Sequence, residues 1–321
     1  MSSKEIKIKS NTASDLSDVT FIIPVKIEHE DRYQNSKSVL GFLNHHFRTN
    51  VIIYEISEDG NSRLDFLDDL KNLKVEHFTE LLPKEGAFHR TRYLNIMLDK
   101  VKTPVVVNYD IDVFLPPESY LICRDRIVKG EVDVYYPYGF GSSQYQVFQS
   151  VDRSRFHIDF TPESILSGIS SDGKIRRYGS EYGHCIFFNT EVYREFGGEN
   201  EEFISYGPED KERGLRFRAC NKKVEWLDGV VFHFEHHRGN DSSLSNPYIQ
   251  SNNNLFSQIQ SLVSSGGILD YYRERPYYEK YTTIGKGREN WSSSMTINRN
   301  LDSPVTPVTP VNVSVSNPLR L

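Results

Sequence analysis

An apolar segment that ends in two acidic residues constrains the fold of this chain more than any other feature. Residues 105–107 have the composition of an interior strand of a parallel sheet, and Asp110 and Asp112 follow closely. Two carboxylates at such a strand end are costly unless positive charge meets them. Because open α/β sheets bind ligands at the carboxyl ends of their strands, the pair predicts a Mg²⁺ or Mn²⁺ site with substrate phosphates. Isolated Asp-x-Asp pairs are common, so solvated acids at a turn are the alternative.

The first half of the chain alternates strand and helix patterns. Strands separated by helices indicate βαβ units, and therefore an α/β fold with a mainly parallel sheet flanked by helices. No Gly-x-Gly-x-x-Gly motif follows the first strand, which argues against a dehydrogenase-type dinucleotide fold. Strands are predicted at residues 19–25, 51–56, 75–78, 105–107 and 132–136, and helices at 36–47, 64–70, 90–101 and 117–129.

The second half begins with a segment that has no sustained period. Residues 139–183 predict long loops over a site, with Arg176, Arg177 and Tyr178 as substrate-facing candidates of a mobile lid. Regular patterns then return, with strands predicted at 185–188 and from about 224, and helices at 191–196 and 247–263. The predicted organisation is a flexible segment at 1–18, one domain at 19–284, and a low-complexity or extended tail at 285–321.

Composition limits the class of partner and the compartment. The formal net charge of −6 gives no indication of non-specific nucleic-acid binding. The three cysteines lie far apart, and no segment has the apolar length of a signal peptide or a transmembrane span. These features predict a reducing, cytoplasmic location, either free or peripheral to a membrane.

A predicted helix start carries a second pair of acids. Gly207 is the expected N-cap, Pro208 fits the first helical position, and Glu209 and Asp210 fall in the first turn. Acids there favour the helix dipole by about 0.3–1 kcal/mol each, so helix stabilisation alone would explain them. The functional interpretation is that this turn presents a carboxylate to a cleft as general base for an incoming hydroxyl.

Three histidines within five residues follow a strand-like segment. His233 alternates with apolar neighbours, whereas His236 and His237 lie just beyond the strand. A lone histidine would usually be a core residue, but three together favour a metal or phosphate site. A mixed carboxylate and imidazole set suits Mn²⁺ better than a pure oxygen cage would.

These motifs, in this order, resemble those of metal-dependent nucleotide-sugar glycosyltransferases with the GT-A fold. The similar branch includes β-1,4-galactosyltransferases, polypeptide N-acetylgalactosaminyltransferases and chondroitin polymerase modules. The matching segments are residues 21–25 with Arg32, 88–95, 110–112, 183–188, 196–210 and 232–236. The resemblance spans roughly residues 19–238 and implies a GT-A fold: a single Rossmann-like domain with acceptor loops.

The resemblance also implies roles for single residues. Asp112 and His233 would bind Mn²⁺ or Mg²⁺, Asp210 would be the catalytic base, and Glu209 would contact the acceptor or donor sugar. The implied nucleotide contacts are Pro24 and Arg32 in the pocket, Asp59 at the uracil, Arg90 near the diphosphate, Asp110 at the ribose side, and His236 or His237 at the phosphates.

The implied activity is transfer of a hexose or N-acetylhexosamine from a UDP-sugar to a hydroxyl of a glycan or glycoconjugate, with inversion. Tyr206 stands where the branch often has Trp, and His237 where it often has Pro, so the acceptor and the phosphate-contacting histidine stay open. The donor sugar and the oligomeric state also stay open.

Two alternatives come from other classes. One is a non-catalytic nucleotide-sugar or glycan-binding module, against which the combined acid, base and imidazole candidates argue. The other is a sugar-phosphate nucleotidyltransferase, which usually has a glycine-rich basic loop after its first strand. Residues 25–31 are instead acidic and lack glycine.

Overall fold

The structure is a computed structural model that describes residues 13–82, 87–151, 153, 175–239 and 242–275. Its strands are β1 Ser14–Lys26, β2 Phe47–Ser57, β3 Leu73–Leu81, β4 Val105–Tyr109, β5 Val113–Phe114, β6 Val134–Tyr136, β7 Gly141–Val147, β8 Ile175–Ser180, β9 Cys185–Asn189, β10 Val224–Trp226 and β11 Val231–Phe234. Its helices are α1 Glu30–His46, α2 Arg90–Leu98, α3 Pro117–Val128, α4 Thr190–Glu195, α5 Glu209–Ala219, α6 Ile249–Ser265 and α7 Ile268–Arg273.

Seven strands form the central sheet, in the order β10-β6-β9-β4-β1-β2-β3. Neighbouring strands are parallel except at β9, which runs antiparallel to both β4 and β6. The predicted α/β class with a mainly parallel sheet is therefore confirmed. β4, the strand before the two acids, is buried along its whole length, as its run of valines predicts.

A second, four-stranded sheet has the order β5-β11-β7-β8 and carries the histidine strand. β5 begins directly after Asp112 and pairs antiparallel with β11, so that His233 lies opposite Val113. The main-chain N–H of Phe234 also donates to the carbonyl of Asp112 over 2.8 Å. Backbone hydrogen bonds thus place the second acid of the Asp-x-Asp pair beside the histidine strand.

Helix α5 holds the second acidic pair, and its sequence suits a helix at both ends. Acidic side chains occupy its first turn and Arg216 and Arg218 its last, which complements the helix dipole. The helix begins at Glu209 with Pro208 as its N-cap, one residue later than the start predicted with Gly207 as N-cap. A Cβ at Gly207 would lie 2.6 Å from Nδ2 of Asn252, because α6 packs closely against this turn.

Two predicted segments differ from the structure. Residues 64–70, predicted as a helix, contain only a 3₁₀ turn at Leu67–Asp69, because so short a segment gains little from helical hydrogen bonds. Residues 139–183, predicted as loops, contain β7 and β8 as an antiparallel pair. The sequence of β7 is polar and has no apolar pattern that would predict a strand. The strand forms by pairing with β11, which is distant in the chain.

Several predictions fall wholly or partly outside the described residues. These are the tail at 285–321, most of the N-terminal segment at 1–18, and the centre of the lid with the side chains of Arg176 and Tyr178. β1 itself starts at Ser14, five residues before the predicted strand. Among the described helices, none has the length and apolar character needed to cross a bilayer.

Gly198 offers a test of the packing between α2 and the segment before α5. Its φ is +63°, and a Cβ there would lie 2.4 Å from Oδ1 of Asn95. Gly130 is a matched control, with φ +70° and nothing within 4 Å of a Cβ. Gly130→Ala should cost about 1–2 kcal/mol from backbone strain, and Gly198→Ala about 1–3 kcal/mol more from overpacking.

Urea unfolding of both variants and the wild type measures these differences in the free energy of unfolding. Equal losses in the two variants would show that Asn95 moves aside without cost.

Candidate active site

A cleft of about 820 Å³ lies where the ends of β1 and β4 meet the second sheet and the start of α5. Its lining includes Pro24 at the end of β1, the acids after β4, and both histidines near β11. The predicted site residues that line it are Pro24, Arg32, Arg90, Asp110, Asp112, Glu209, Asp210, His233 and His236. Residues that are distant in the sequence therefore share one cavity.

Asp112, His233 and His236 form a buried cluster in this cleft, with candidate ligand atoms all within 4.8 Å of one another. Nε2 of His236 is 3.1 Å from Oδ2 of Asp112, and Nε2 of His233 is 3.5 Å from Oδ1. Nη1 of Arg32 lies 3.4 Å from Oδ2 of the same carboxylate. The cluster thus contains the two predicted metal ligands and adds His236, which was predicted to contact phosphates.

The protonation of the cluster suits a cation. Burial lowers the pKa of His233 to about 3, so its imidazole is neutral at physiological pH. Burial opposes the charge of Asp112, but the neighbouring His236 and Arg32 hold the pKa of this carboxyl well below its usual range. Nδ1 of His236 donates to the carbonyl of His237 over 2.6 Å, and this contact orients the ring so that its Nε2 faces Oδ2 of Asp112.

Two polar atoms of the cluster lack hydrogen-bond partners among the described residues. They are Oδ1 of Asp112 and Nδ1 of His233, both buried. Unpartnered buried polar atoms are expensive, and each one calls for a physical explanation. One carboxylate and two imidazoles fit Mn²⁺, which accepts both oxygen and nitrogen ligands.

The structure distinguishes between the two adjacent histidines. His236 is buried in the cluster, whereas the exposed ring of His237 packs edge-to-face against His29 with a centroid distance of 4.1 Å. The main-chain N–H of His237 donates to the carboxylate of Asp31. His236 is therefore the one of the pair that faces the cleft.

The opposite side of the cleft holds the acidic pair of α5. Asp210 contacts two guanidinium groups, with Oδ1 2.5 Å from Nη2 of Arg213 and 3.5 Å from Nη1 of Arg90. Arg90 also donates from Nη2 to Oδ1 of Asp110 over 2.8 Å. Arg90 therefore joins the first acid of the Asp-x-Asp pair to the predicted base.

Glu209 and Asp210 are adjacent but have different environments. Burial, followed by the nearby charge of Asp210, raises the pKa of Glu209 to about 8. Oε2 of Glu209 has no hydrogen-bond partner within the described part of the chain. Glu209 is thus protonated at neutral pH and can donate a hydrogen bond, while Asp210 is the carboxylate paired with cations.

Asp59, a predicted nucleotide contact, does not line the cleft. Its carboxylate accepts from Oγ of Ser57 over 2.7 Å, from the main-chain N–H of Asn61 over 3.0 Å, and from Nη2 of Arg63 over 2.8 Å. The side chain stabilises its own turn after β2, and its contact with the uracil ring of a nucleotide stays a prediction.

Sequence reasoning did not single out His184, which lies in the cleft between the two acidic groups. Its φ is +58°, a left-handed conformation that is uncommon outside glycine and clusters at functional sites. Nε2 of His184 is 3.1 Å from Oε1 of Gln144, and its ring lies 5.5 Å from that of His233. No local pattern could have identified it, because its position depends on β7 and β11.

The pKa of Glu209 predicts how stability depends on pH. Its folded pKa, about 8, lies above the ordinary value of 4.5, so between these values the folded protein retains a proton that the unfolded chain has lost. The stability from this residue is fully present below pH ~4.5 and is lost as the pH rises through about 8. Glu209→Gln removes this titration and should reduce the fall in unfolding free energy between about pH 5 and about pH 9.

Urea unfolding at both pH values measures this difference, with Glu191→Gln as a control whose side chain is 77% exposed. If Glu209→Gln and the wild type lose the same free energy, Glu209 is ionised in the folded protein.

No protein-family model matches this chain, and no curated protein matches it. Among solved structures it is similar to GalNAc-T7 with UDP, GalNAc and Mn²⁺, at a TM-score of 0.50 and 14% identity over 83% of this chain and 54% of that one. The catalytic domain of Drosophila β1,4-galactosyltransferase 7 with xylobiose has a TM-score of 0.37 and 12% identity, over 68% of this chain and 71% of that one. S. aureus TarS 1–349 with UDP-GlcNAc has a TM-score of 0.42 and 12% identity, over 70% of this chain and 60% of that one.

This chain thus spans only about half of the GalNAc-T7 chain, and at such identities the likeness concerns the fold alone. Together with the mainly parallel sheet, it gives the conclusion that the chain has the GT-A fold.

Proposed function

We propose that this protein is a metal-dependent glycosyltransferase that moves a hexose or N-acetylhexosamine from a UDP-sugar to a hydroxyl of a glycan or glycoconjugate, with inversion. The observation that carries the proposal is one cleft lined by both the Asp112–His233–His236 cluster and the carboxylate of Asp210. The GalNAc-T7 structure contains UDP, GalNAc and Mn²⁺, so these are the first ligands to test.

The donor end of the cleft supplies positive charge for a diphosphate. Asp112, His233 and His236 would hold Mn²⁺, which when bound neutralises charge that develops on the leaving diphosphate. Arg32 reaches the same cluster, and Arg90 lines the cleft between it and α5. Both arginines can contact phosphate oxygens, and their planar guanidinium groups suit that role.

The acceptor end supplies the base. Asp210 would take the proton of the acceptor hydroxyl as that oxygen bonds to the anomeric carbon, while the bond from this carbon to the diphosphate oxygen breaks. Attack from the face opposite the diphosphate inverts the configuration. Protonated Glu209, buried beside Asp210, can donate a hydrogen bond to a sugar hydroxyl.

The function is tested by adding a panel of UDP-sugars and Mn²⁺ to the full chain and measuring the products. We expect release of UDP, slowly to water and faster with a correct acceptor. Formation of UTP and a sugar 1-phosphate from a UDP-sugar and added pyrophosphate would instead identify a nucleotidyltransferase, and binding without release would identify a non-catalytic module.

Asp112→Ala and His233→Ala should each abolish Mn²⁺-dependent binding of UDP while leaving the fold intact. The reason is that each removes a ligand atom from a three-residue cluster. Calorimetry with UDP, with and without Mn²⁺, gives the readout, and His237→Ala is the matched control outside the cluster. Unchanged UDP binding in the first two variants would refute the metal site.

Asp210→Asn should separate binding from catalysis. The substitution keeps the shape of the side chain but removes the base, so turnover should fall by about two to four orders of magnitude while donor binding persists. Steady-state UDP release and calorimetry measure the two effects. Turnover within a few-fold of wild type would reduce the acidic pair to a helix-stabilising feature.

A further inference from the structure

A buried arginine contacts the proposed base from inside the protein. Arg213 is fully buried, and its Nη2 lies 2.5 Å from Oδ1 of Asp210, one helical turn earlier on α5. Its Nε donates to Oε1 of Glu199 over 2.7 Å, and Glu199 is also fully buried. A single planar guanidinium group therefore joins a core carboxylate to a carboxylate that lines the cleft.

Glu199 is itself held by several buried partners. Nδ2 of Asn108 donates to Oε1 of Glu199 over 2.8 Å, and the hydroxyl of Tyr193 donates to the same oxygen. The main-chain N–H of Glu199 donates to Oδ1 of Asn95 over 2.8 Å. Asn108 lies on β4, two residues before Asp110, so continuous polar contacts connect the strand of the Asp-x-Asp pair to Asp210.

A neighbouring ion pair shows what an arginine of purely structural role does on this helix. Arg216 donates from Nε to Oε1 of Glu212 over 2.9 Å, and both side chains are buried. Its Nη1 and Nη2 also donate to the main-chain carbonyls of Phe196 and Gly198. Arg213 differs from Arg216 because its Nη2 contacts the carboxylate of Asp210, which lines the cleft.

The two carboxylate oxygens of Asp210 have different neighbours. Arg213 and Arg90 both approach Oδ1. Oδ2 faces Gly183, where a Cβ would lie only 2.7 Å away and where φ is +98°. The arginines thus fix the orientation of the carboxylate, and Oδ2 remains to accept a proton.

We propose that Arg213, anchored by Glu199, is a positioning residue that orients the carboxylate of Asp210 towards the acceptor hydroxyl. The inference rests on the proposed function and names a further residue of the same site. A buried ion pair is by itself weak evidence for a gain in stability, since apolar residues of similar volume often serve as well. The contact between Arg213 and Asp210 gives the Glu199–Arg213 pair a role at the proposed active site.

The test is a double-mutant cycle on UDP release with Arg213→Lys and Asp210→Asn. Lysine keeps the charge beside Glu199 but lacks the second arm that reaches Asp210. We expect Arg213→Lys to lower kcat by about 10- to 100-fold with little change in donor KM, because a misplaced base slows only the chemical step. In the Asp210→Asn background the same substitution should lower kcat no further, since residues that act as a unit are non-additive.

Arg216→Lys is the matched control, and any loss that it causes should be equal in both backgrounds. If Arg213→Lys does not fold, Glu199→Gln takes its place in the cycle, because it keeps an acceptor for Asn108 and Tyr193 while it removes the anchoring charge. An equal loss for Arg213→Lys, or for its substitute, in both backgrounds of an active enzyme overturns the positioning role. A wild-type protein that releases no UDP with Mn²⁺ overturns the proposed function, and the positioning role with it.

Discussion

Negative charge buried at the end of β4 is the constraint on which the rest of the site depends. Asp112 is only 4% exposed, and an uncompensated buried charge costs several kcal/mol. The groups that meet it come from separate elements, with Arg32 on α1, His233 on β11 and His236 after that strand. The two sheets and α1 are therefore brought together around one carboxylate, and the cleft is the space that this convergence leaves.

The sequence predicts the parts of this arrangement that depend on local pattern. The apolar run of β4 and its acids, the alternation around His233, and the helix start before Glu209 are each visible within about ten residues. The polar strand β7 was missed because its partner is distant in the chain. The link between Glu199 and Arg213 was missed because each alone is an ordinary charged residue, and only the fold buries both.

Adjacent acids on a helix can acquire opposite chemical properties because successive residues are about 100° apart around the axis. Glu209 turns inwards, where burial raises its pKa, whereas the side chain of Asp210 is 27% exposed and meets two guanidinium groups. The sequence shows two equivalent carboxylates in a first turn. Their different environments follow from packing, and in particular from the guanidinium group of Arg213, which reaches Asp210 from the core.

The antiparallel pairing of β5 with β11 has a consequence for the proposed metal site. Since His233 lies opposite Val113 and Phe234 bonds to the carbonyl of Asp112, main-chain geometry sets the ligand spacing before any ion arrives. Under the proposed function, a chelator would abolish activity reversibly without unfolding the protein, in contrast to small domains that fold only around their metal.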